Sequence, residues 1–258
     1  MADQGKGMSD LWRRLRFVFV AIVVYRVGTH IPIPGIDPDR LSSLFEQNQG
    51  TILDMFNLFS GGALERMSIF ALNVIPYISS AIIMQLFSNS IPYLQELKKD
   101  GQAGRNQITQ YTRYGTVVLA FIQASALAVT LSGSGLAYTP GAAFFASAVF
   151  SVVAGTVFLM WLGEQISERG IGNGISLIIA TSILTGIPGA IGQALEQSRQ
   201  GDLNILLLLA IAVLAMAVIA VVVFIERGQR RITVNYAQRQ QGRKLMQAQS
   251  SHLPFKVN

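Results

Sequence analysis

Residues 205 to 225 read ILLLLAIAVLAMAVIAVVVFI, twenty-one positions without one polar side chain. At about 1.5 Å per residue a helix of that length crosses the roughly 30 Å hydrocarbon core of a bilayer. A helix apolar on every face has no solvated side, so the stretch predicts a transmembrane helix. Similar runs place further spans near 17–33, 74–93, 114–132, 143–162 and 174–192. The composition agrees, with 51% hydrophobic and only 13% charged residues, about half the usual charged share of a soluble domain. The first run lacks the small-residue cleavage site of a secretory signal and continues into His30-Ile31-Pro32-Ile33-Pro34-Gly35, so it counts as a span.

Six spans divide the polar segments between two sides. Residues 1–16, 95–113, 163–173 and 226–258 hold sixteen Lys and Arg; the opposite set holds only Arg40, Arg66 and Arg199. That bias puts both ends of the chain on the cytoplasmic side. The net charge of +6 is therefore a feature of the cytoplasmic face and does not point to a soluble nucleic-acid binder.

Chemistry-bearing residues are few. The chain has no cysteine and two distant histidines, His30 and His252, and no His or acidic pair with metal-ligand spacing. Spans three to six have no ionisable group in their cores, and Arg26 in span one either snorkels or pairs with a neighbouring helix. Glu164 and Glu226 sit at cytoplasmic helix ends. An ion-coupled transporter needs a midplane charge, and an intramembrane protease needs a catalytic dyad or a metal. Neither is visible, so a passive pathway lined by apolar and small side chains is the remaining class.

The stretch FNLFSGGALERMSIFALNVIPYISSAII, residues 56–83, is the most irregular. Met67 to Leu94 is too long an uncharged run for one straight span. Pro76 has no N–H for the Leu72 carbonyl, and Asn73 tolerates left-handed geometry. This predicts a short helix over about 64–72, a break, and a full helix from about Val74. Ser60, Gly61 and Gly62 form a flexible lead-in. Glu65 and Arg66 keep the short helix out of lipid. It is either a re-entrant element against protein or a cavity, which would make a gate or plug, or an interfacial helix lying flat. ERGIGNGIS is not a phosphate-binding loop, because it lacks the glycine pattern, a preceding strand and the lysine; Gly170, Gly172, Asn173 and Gly174 make the turn that starts span five. In the tail, Ile232-Thr233-Val234-Asn235-Tyr236 alternates like a strand and Gln240-Gln241-Gly242 turns it, which brings Arg239, Arg243 and Lys244 near a tip. Charge alone equally fits a juxtamembrane patch on anionic lipid.

HIPIPGID, FNLFSGGALERMSIFALNVIPYIS, QYTRYGT, FLMWLGEQISERGIGNGIS and ERGQRRITVNYAQRQQGRK, in unbroken order from about Leu11 to Asn258, resemble the SecY family, the channel subunits of the bacterial Sec protein translocase. The resemblance implies an all-α polytopic membrane protein: the first five-span half of an inverted repeat, plus span six and the following basic cytoplasmic loop. It divides the chain into a cytoplasmic N-terminus at 1–16, spans one to five at 17–192 with a plug helix at about 61–72, span six at 203–225, and the loop at 226–258. It implies a non-enzymatic central pore of the bacterial cytoplasmic (inner) membrane. Unfolded secretory proteins would cross it, and transmembrane segments would leave it for lipid. It implies a plug containing Gly61, Gly62, Leu64, Met67, Ile69 and Leu72, and a pore ring of Val74, Ile78, Ile175 and Ile179. Each ring pair is spaced i, i+4, which on its own also describes ordinary packing or lipid-facing surface. Val74 stands where Ile is commoner. Spans two and three would form one side of a lateral gate, with Ser79, Ser80, Gln85 and Gln123 as candidates for weak interhelical hydrogen bonds or for plain polar packing. No cofactor is implied. The implied partners are SecE, SecG, the SecA ATPase, the ribosome, signal sequences, nascent chains and membrane lipid. Arg239, Arg243 and Lys244 would dock the ribosome or SecA, and Gln238 stands where a basic residue is typical.

Overall fold

The computed structural model describes residues 4–37, 40, 41, 43, 57, 60–200, 205–235, 240, 241, 244, 245 and 250–256. Its elements are α1 (Gln4–Gly28), α2 (Ile75–Ser90), α3 (Pro92–Lys99), α4 (Gln102–Gly133), α5 (Ala142–Arg169), α6 (Gly174–Gln200), α7 (Ile205–Glu226), and four strands, β1 (Gln229–Asn235), β2 (Gln240–Gln241), β3 (Lys244–Leu245) and β4 (Ser250–Lys256). The chain forms two compact units, Met1–Gly189 and Ala190–Asn258.

Each expected span falls on a helix, but not all helices are alike. Four are long and apolar enough to cross a membrane: α4, α5, the 174–196 part of α6, and the 206–226 part of α7. In α1 only the half from Phe17 is apolar, and the helix ends at Gly28 rather than near Ile33. Helix α2 has 16 residues, about 24 Å, and closes at Ile91 before Pro92 starts α3.

The first unit is built on close helix contacts. Along α4 the buried positions are Gly104, Thr112, Thr116, Ala120, Ala124, Ala128 and Leu131, mostly small residues at a spacing of four. One strip of small side chains lets two backbones approach, which replaces the hydrophobic drive that lipid removes. Helix α4 packs between α2 and α5. Ala124 and Ala128 meet Ala148, Val149 and Val152 of α5 in an apolar cluster that also contains Ile33, Leu64, Met67 and Phe144. A second cluster joins Ala21 and Tyr25 of α1, Leu159, Leu162 and Ile166 of α5, and Ile178 of α6 to Ala63, Phe70 and Val74. Helices α4 and α5 are also tied by Arg113 and Glu164 at 2.7 Å.

HIPIPGID is an extended strap. The Ile33 N–H donates to Met67 O at 2.8 Å and Ile31 O accepts from Ile69 N at 3.0 Å. Further along, Gly35 O accepts from Tyr138 N and the Asp37 N–H donates to Leu136 O. Pro32, which has no N–H, occupies an intervening position and favours the extended form there, and the strap then turns at Pro34-Gly35, where Gly35 has φ +90°. The expected turn before span five is present. Gly172 has φ +73°, and Asn173 Oδ1 accepts from the N–H groups of Ile175 and Ser176, capping the first turn of α6.

In the second unit α7 is apolar around its whole circumference. The tail is an antiparallel ribbon, with β1 against β4 from Gln229↔Lys256 to Asn235↔Ser250 and β2 against β3. The expected strand at 232–236 starts earlier, at Gln229. Gln240 and Gln241 are paired with Leu245 and Lys244, while Gly242 of the expected turn lies outside the described residues. Arg239 and Arg243 also lie outside them; Lys244 is on β3.

Candidate functional site

Residues 61–74 enter as the expected irregular element, but they do not form a short helix. The chain makes consecutive tight turns: Met67 N bonds Leu64 O, Ala71 N bonds Ser68 O, and Asn73 N bonds Phe70 O. The cause is local. Met67 has φ 41° and Asn73 φ 49°, both left-handed, and such residues end helical runs. The HIPIPGID strap also takes Met67 O and Ile69 N, the two groups that an α-helix over this stretch would need for itself. The break before α2 is as expected: Asn73 is left-handed, and Pro76 lies in the first turn, where no intrahelical N–H is missed.

The segment is an interior element of the first unit. Gly61, Ala63, Leu64, Met67, Ser68, Phe70 and Ala71 are buried, while Gly62, Ile69 and Leu72 are half-buried and Glu65 and Arg66 are exposed. Leu64, Met67, Ala71 and Leu72 face the cluster with α4 and α5; Ala63, Ile69 and Phe70 face the cluster with α1 and α6. This geometry excludes an element lying flat on an outer surface. Phe70 stacks between Tyr25 of α1 and Phe158 of α5, with ring centroids 6.0 and 5.9 Å apart and planes within 8° and 3°. Two glycines make the space. A Cβ on Gly28 would lie 2.0 Å from the Phe70 ring, and one on Gly155 would lie 2.0 Å from the Ile69 carbonyl oxygen. Gly61 and Gly62 both need their glycine, with φ +66° and +78°.

Polar groups grip the same segment. Arg26 donates to Gly61 O at 3.2 Å and to Thr185 Oγ1 of α6 at 3.3 Å; it pairs with neighbouring structure rather than snorkelling. Asn57 holds Glu65 twice, Nδ2 donating to the carboxylate and Oδ1 accepting from the Glu65 N–H, each at 3.0 Å. Tyr25 Oη lies 3.2 Å from Ser60 O and 2.5 Å from Ser182 Oγ.

Val74 is buried in the α1–α5–α6 cluster, and Ile78, Ile175 and Ile179 are half-buried side chains packed against that same cluster, as is Ile69 of the segment. Of the α2–α4 candidates, Ser80 Oγ donates to Thr112 O at 2.8 Å. Gln85 is exposed, and its carbonyl accepts from Ser88 of its own helix; Ser79 and Gln123 are half-buried. Sequence reasoning missed Tyr25, Phe70, Ser182, Thr185 and Gly155. The available signal was that Ser182 follows Ile175 and Ile179 at i+7 and i+3, on the same helix face.

A profile of the SecY family matches residues 68–258. The protein translocase subunit SecY of Pseudomonas aeruginosa is 62% identical over all of this chain and 60% of its own length. That of Escherichia coli K12 is 59% identical over 98% of this chain and 58% of its own. The chain thus spans about three-fifths of the length of these relatives. Among solved structures, one described as a protein conducting channel superposes with a TM-score of 0.63 at 20% identity, covering 95% of this chain and 53% of that one. Another, Sec61 in a canine ribosome-channel complex from the endoplasmic reticulum, gives 0.60 at 20% identity, covering 86% of this chain and 49% of that one. With its motifs in order, its helices superposing on those channels and most of its length matched by the family profile, the chain belongs to the SecY family.

Proposed function

We propose that this chain forms the pore-bearing half of a protein-conducting channel in the bacterial cytoplasmic membrane. Segment 61–72 is the plug and Val74, Ile78, Ile175 and Ile179 are half of an aliphatic collar. The single observation that supports the reading is that all four side chains belong to or pack against one apolar cluster, which also takes in Ala63, Ile69 and Phe70 of a buried, non-helical segment. A narrow aliphatic constriction dewets and holds no ion, and it binds no particular side chain, so an unfolded polypeptide of any sequence can slide through. The plug fits a cavity seal, because it is buried and its backbone is satisfied partly by its own tight turns and partly by the strap. Helices α2 and α4 form one wall of a lateral exit to lipid. Both termini are cytoplasmic, by the bias in basic residues.

Such a channel is a passive conduit and not an enzyme. SecA or the ribosome would supply the drive, with SecE and SecG as membrane partners and signal sequences and nascent chains as cargo. Docking of SecA or ribosomal RNA falls to the tail ribbon, through Arg239, Arg243 and Lys244.

The test replaces Ile78 and Ile179 by Ser in the full-length protein, assembled in its complex and placed in planar bilayers. Resting ion conductance should rise as the collar wets. Conductance unchanged, both with the plug in place and with 61–72 removed, would overturn the collar.

A further inference from the structure

Both ends of the plug meet one pair of hydroxyls. Tyr25 Oη on α1 donates toward Ser60 O, at the entry to the segment. It also bonds Ser182 Oγ on α6. Ser182 Oγ accepts from Asn73 Nδ2 at 3.3 Å, at the segment's exit, and donates to Ile178 O at 2.9 Å. Alongside, Thr185 Oγ1 donates to Ser182 O and accepts from Arg26, which also holds Gly61 O. Tyr25 is 1% exposed and Ser182 0%. Each hydroxyl has one proton to give. If Tyr25 gives its proton to Ser182, Ser182 gives its own to Ile178. If Ser182 gives to Tyr25, Tyr25 gives to Ser60. Either order ties α1 to α6 and leaves Ser182 Oγ accepting from Asn73; the second also holds Ser60 O, and is the order that grips both ends of the segment.

The surroundings make the pair matter. Ala21, Val74, Leu159 and Ile178 are in the same cluster, so protein groups supply the partners, and a lost bond here leaves a buried polar atom unsatisfied. Gly61 lies so close that a Cβ there would stand 3.1 Å from Ser182 Cα. Ile175, Ile179 and Ser182 share one face of α6. A polypeptide that pushes the two isoleucines outward carries Ser182 with them.

We infer that Tyr25 and Ser182 are positioning residues forming a clasp that holds both ends of the plug, so that widening of the collar releases it. This rests on the plug and collar reading above. Apolar contacts fade gradually with separation, whereas a hydrogen bond is lost within about an ångström. The clasp therefore gives the closed state a threshold, and one displacement of α6 breaks the links to Tyr25 and Asn73 together.

The test uses the full-length protein in its complete translocase, with Tyr25→Phe, Ser182→Ala, the double variant, and a reference variant lacking 61–72. Phe at 25 keeps the stack on Phe70. Resting conductance in planar bilayers and hydrogen exchange of the amides of 61–73 are both read. Each single variant should raise channel opening and exchange about fivefold, the equivalent of one buried hydrogen bond. The double should fall well short of the product of the singles, because the two share one link. Wild-type closure in all three, with a raised conductance in the reference variant, overturns the clasp and leaves the plug. An unchanged reference variant overturns the plug reading and the clasp with it. Fully multiplicative effects in the double overturn the coupling. If a variant assembles poorly, exchange of 61–73 relative to the α4 core in the assembled fraction decides: equal acceleration in both means general loosening and overturns the clasp.

Discussion

Gly155→Ala is the sharpest perturbation of segment 61–72, the proposed plug, in its seat. Gly155 lies inside α5, and a Cβ there would stand 2.0 Å from Ile69 O, 2.8 Å from Ile69 C and 3.1 Å from Phe70 Cδ1. Ordinary contact begins near 3.4 Å, so segment and helix must part by about 1.4 Å along that line. The obstacle is backbone and cannot rotate away. Ile69 N is bonded to Ile31 O at 3.0 Å, and Met67 O, two residues earlier, to Ile33 N at 2.8 Å. Relief requires moving the strap or breaking it. Alanine favours the helix itself by about 1 kcal/mol, but equally with the segment seated or unseated, so that gain cancels. Forced overpacking costs the seated state about 1–3 kcal/mol, which raises the unseated fraction about fivefold to roughly a hundredfold. The assay pairs resting conductance of the full-length complex with its thermal unfolding in detergent. Leak should rise and Tm should not. A raised Tm with unchanged conductance would mean that α5 and Ile69 are not in contact, and would refute the reasoning.

Ser80→Ala should loosen α2 against α4 by about 1 kcal/mol. It removes the bond to Thr112 O, while Thr116 Oγ1 keeps that carbonyl satisfied at 2.8 Å. Enhanced export of precursors with weakened signal sequences would be the readout, and unchanged export would take Ser80 out of the lateral gate. Glu164→Gln breaks a pair whose side chains are 45% and 20% exposed, so a loss of no more than about 1 kcal/mol is expected. That loss should shrink in high salt, as a Tm series at two ionic strengths would report. Asp10 titrates below the ordinary carboxylate value of 3.8, chiefly through its hydrogen bond from Arg14. Arg13 is nearer at 2.6 Å but 74% exposed and more screened. A carboxylate lowered on folding stabilises α1 above its unfolded pKa, and that contribution disappears as pH falls through the folded pKa. Arg14→Gln should therefore move the Asp10 NMR titration upward more than Arg13→Gln does.

The spans were legible because lipid leaves one way to satisfy a backbone over twenty residues, and that constraint writes itself into runs such as 205–225. The break at Asn73-Val74-Ile75-Pro76 was legible for a similar reason, since a missing N–H is a property of the residue itself. The shape of 61–72 was not. Ala63 to Leu72 has ordinary helix formers, and nothing within it announces that Ile31 and Ile33 will claim Met67 O and Ile69 N. That competition is set by a strap thirty-odd residues upstream, and tertiary context overrides local propensity. In the tail, pairing depends on both strands, and nothing in Gln240-Gln241 alone announces that Lys244 and Leu245 will pair with them.

The residues missed at the site each have an ordinary local reading. Ser182 and Thr185 are small hydroxyl residues in a largely apolar helix, each compatible with a bond to the preceding turn of that helix, and Tyr25 reads as an aromatic packing residue beside Arg26. Ser182 and Thr185 do make such bonds, to Ile178 O and Ser182 O. Their second bonds go across, to Tyr25, Asn73 and Arg26. A hydroxyl that satisfies itself within its helix costs little to place in a membrane, and its remaining lone pair stays available. A channel that must close firmly yet open under a passing chain is well served by such groups. Each remains half-satisfied when the cross-link breaks, so the open state is not heavily penalised, and the closed state is favoured by a few weak bonds. Permanent charge pairs at the same depth would hold far more tightly and would resist the opening that transport requires.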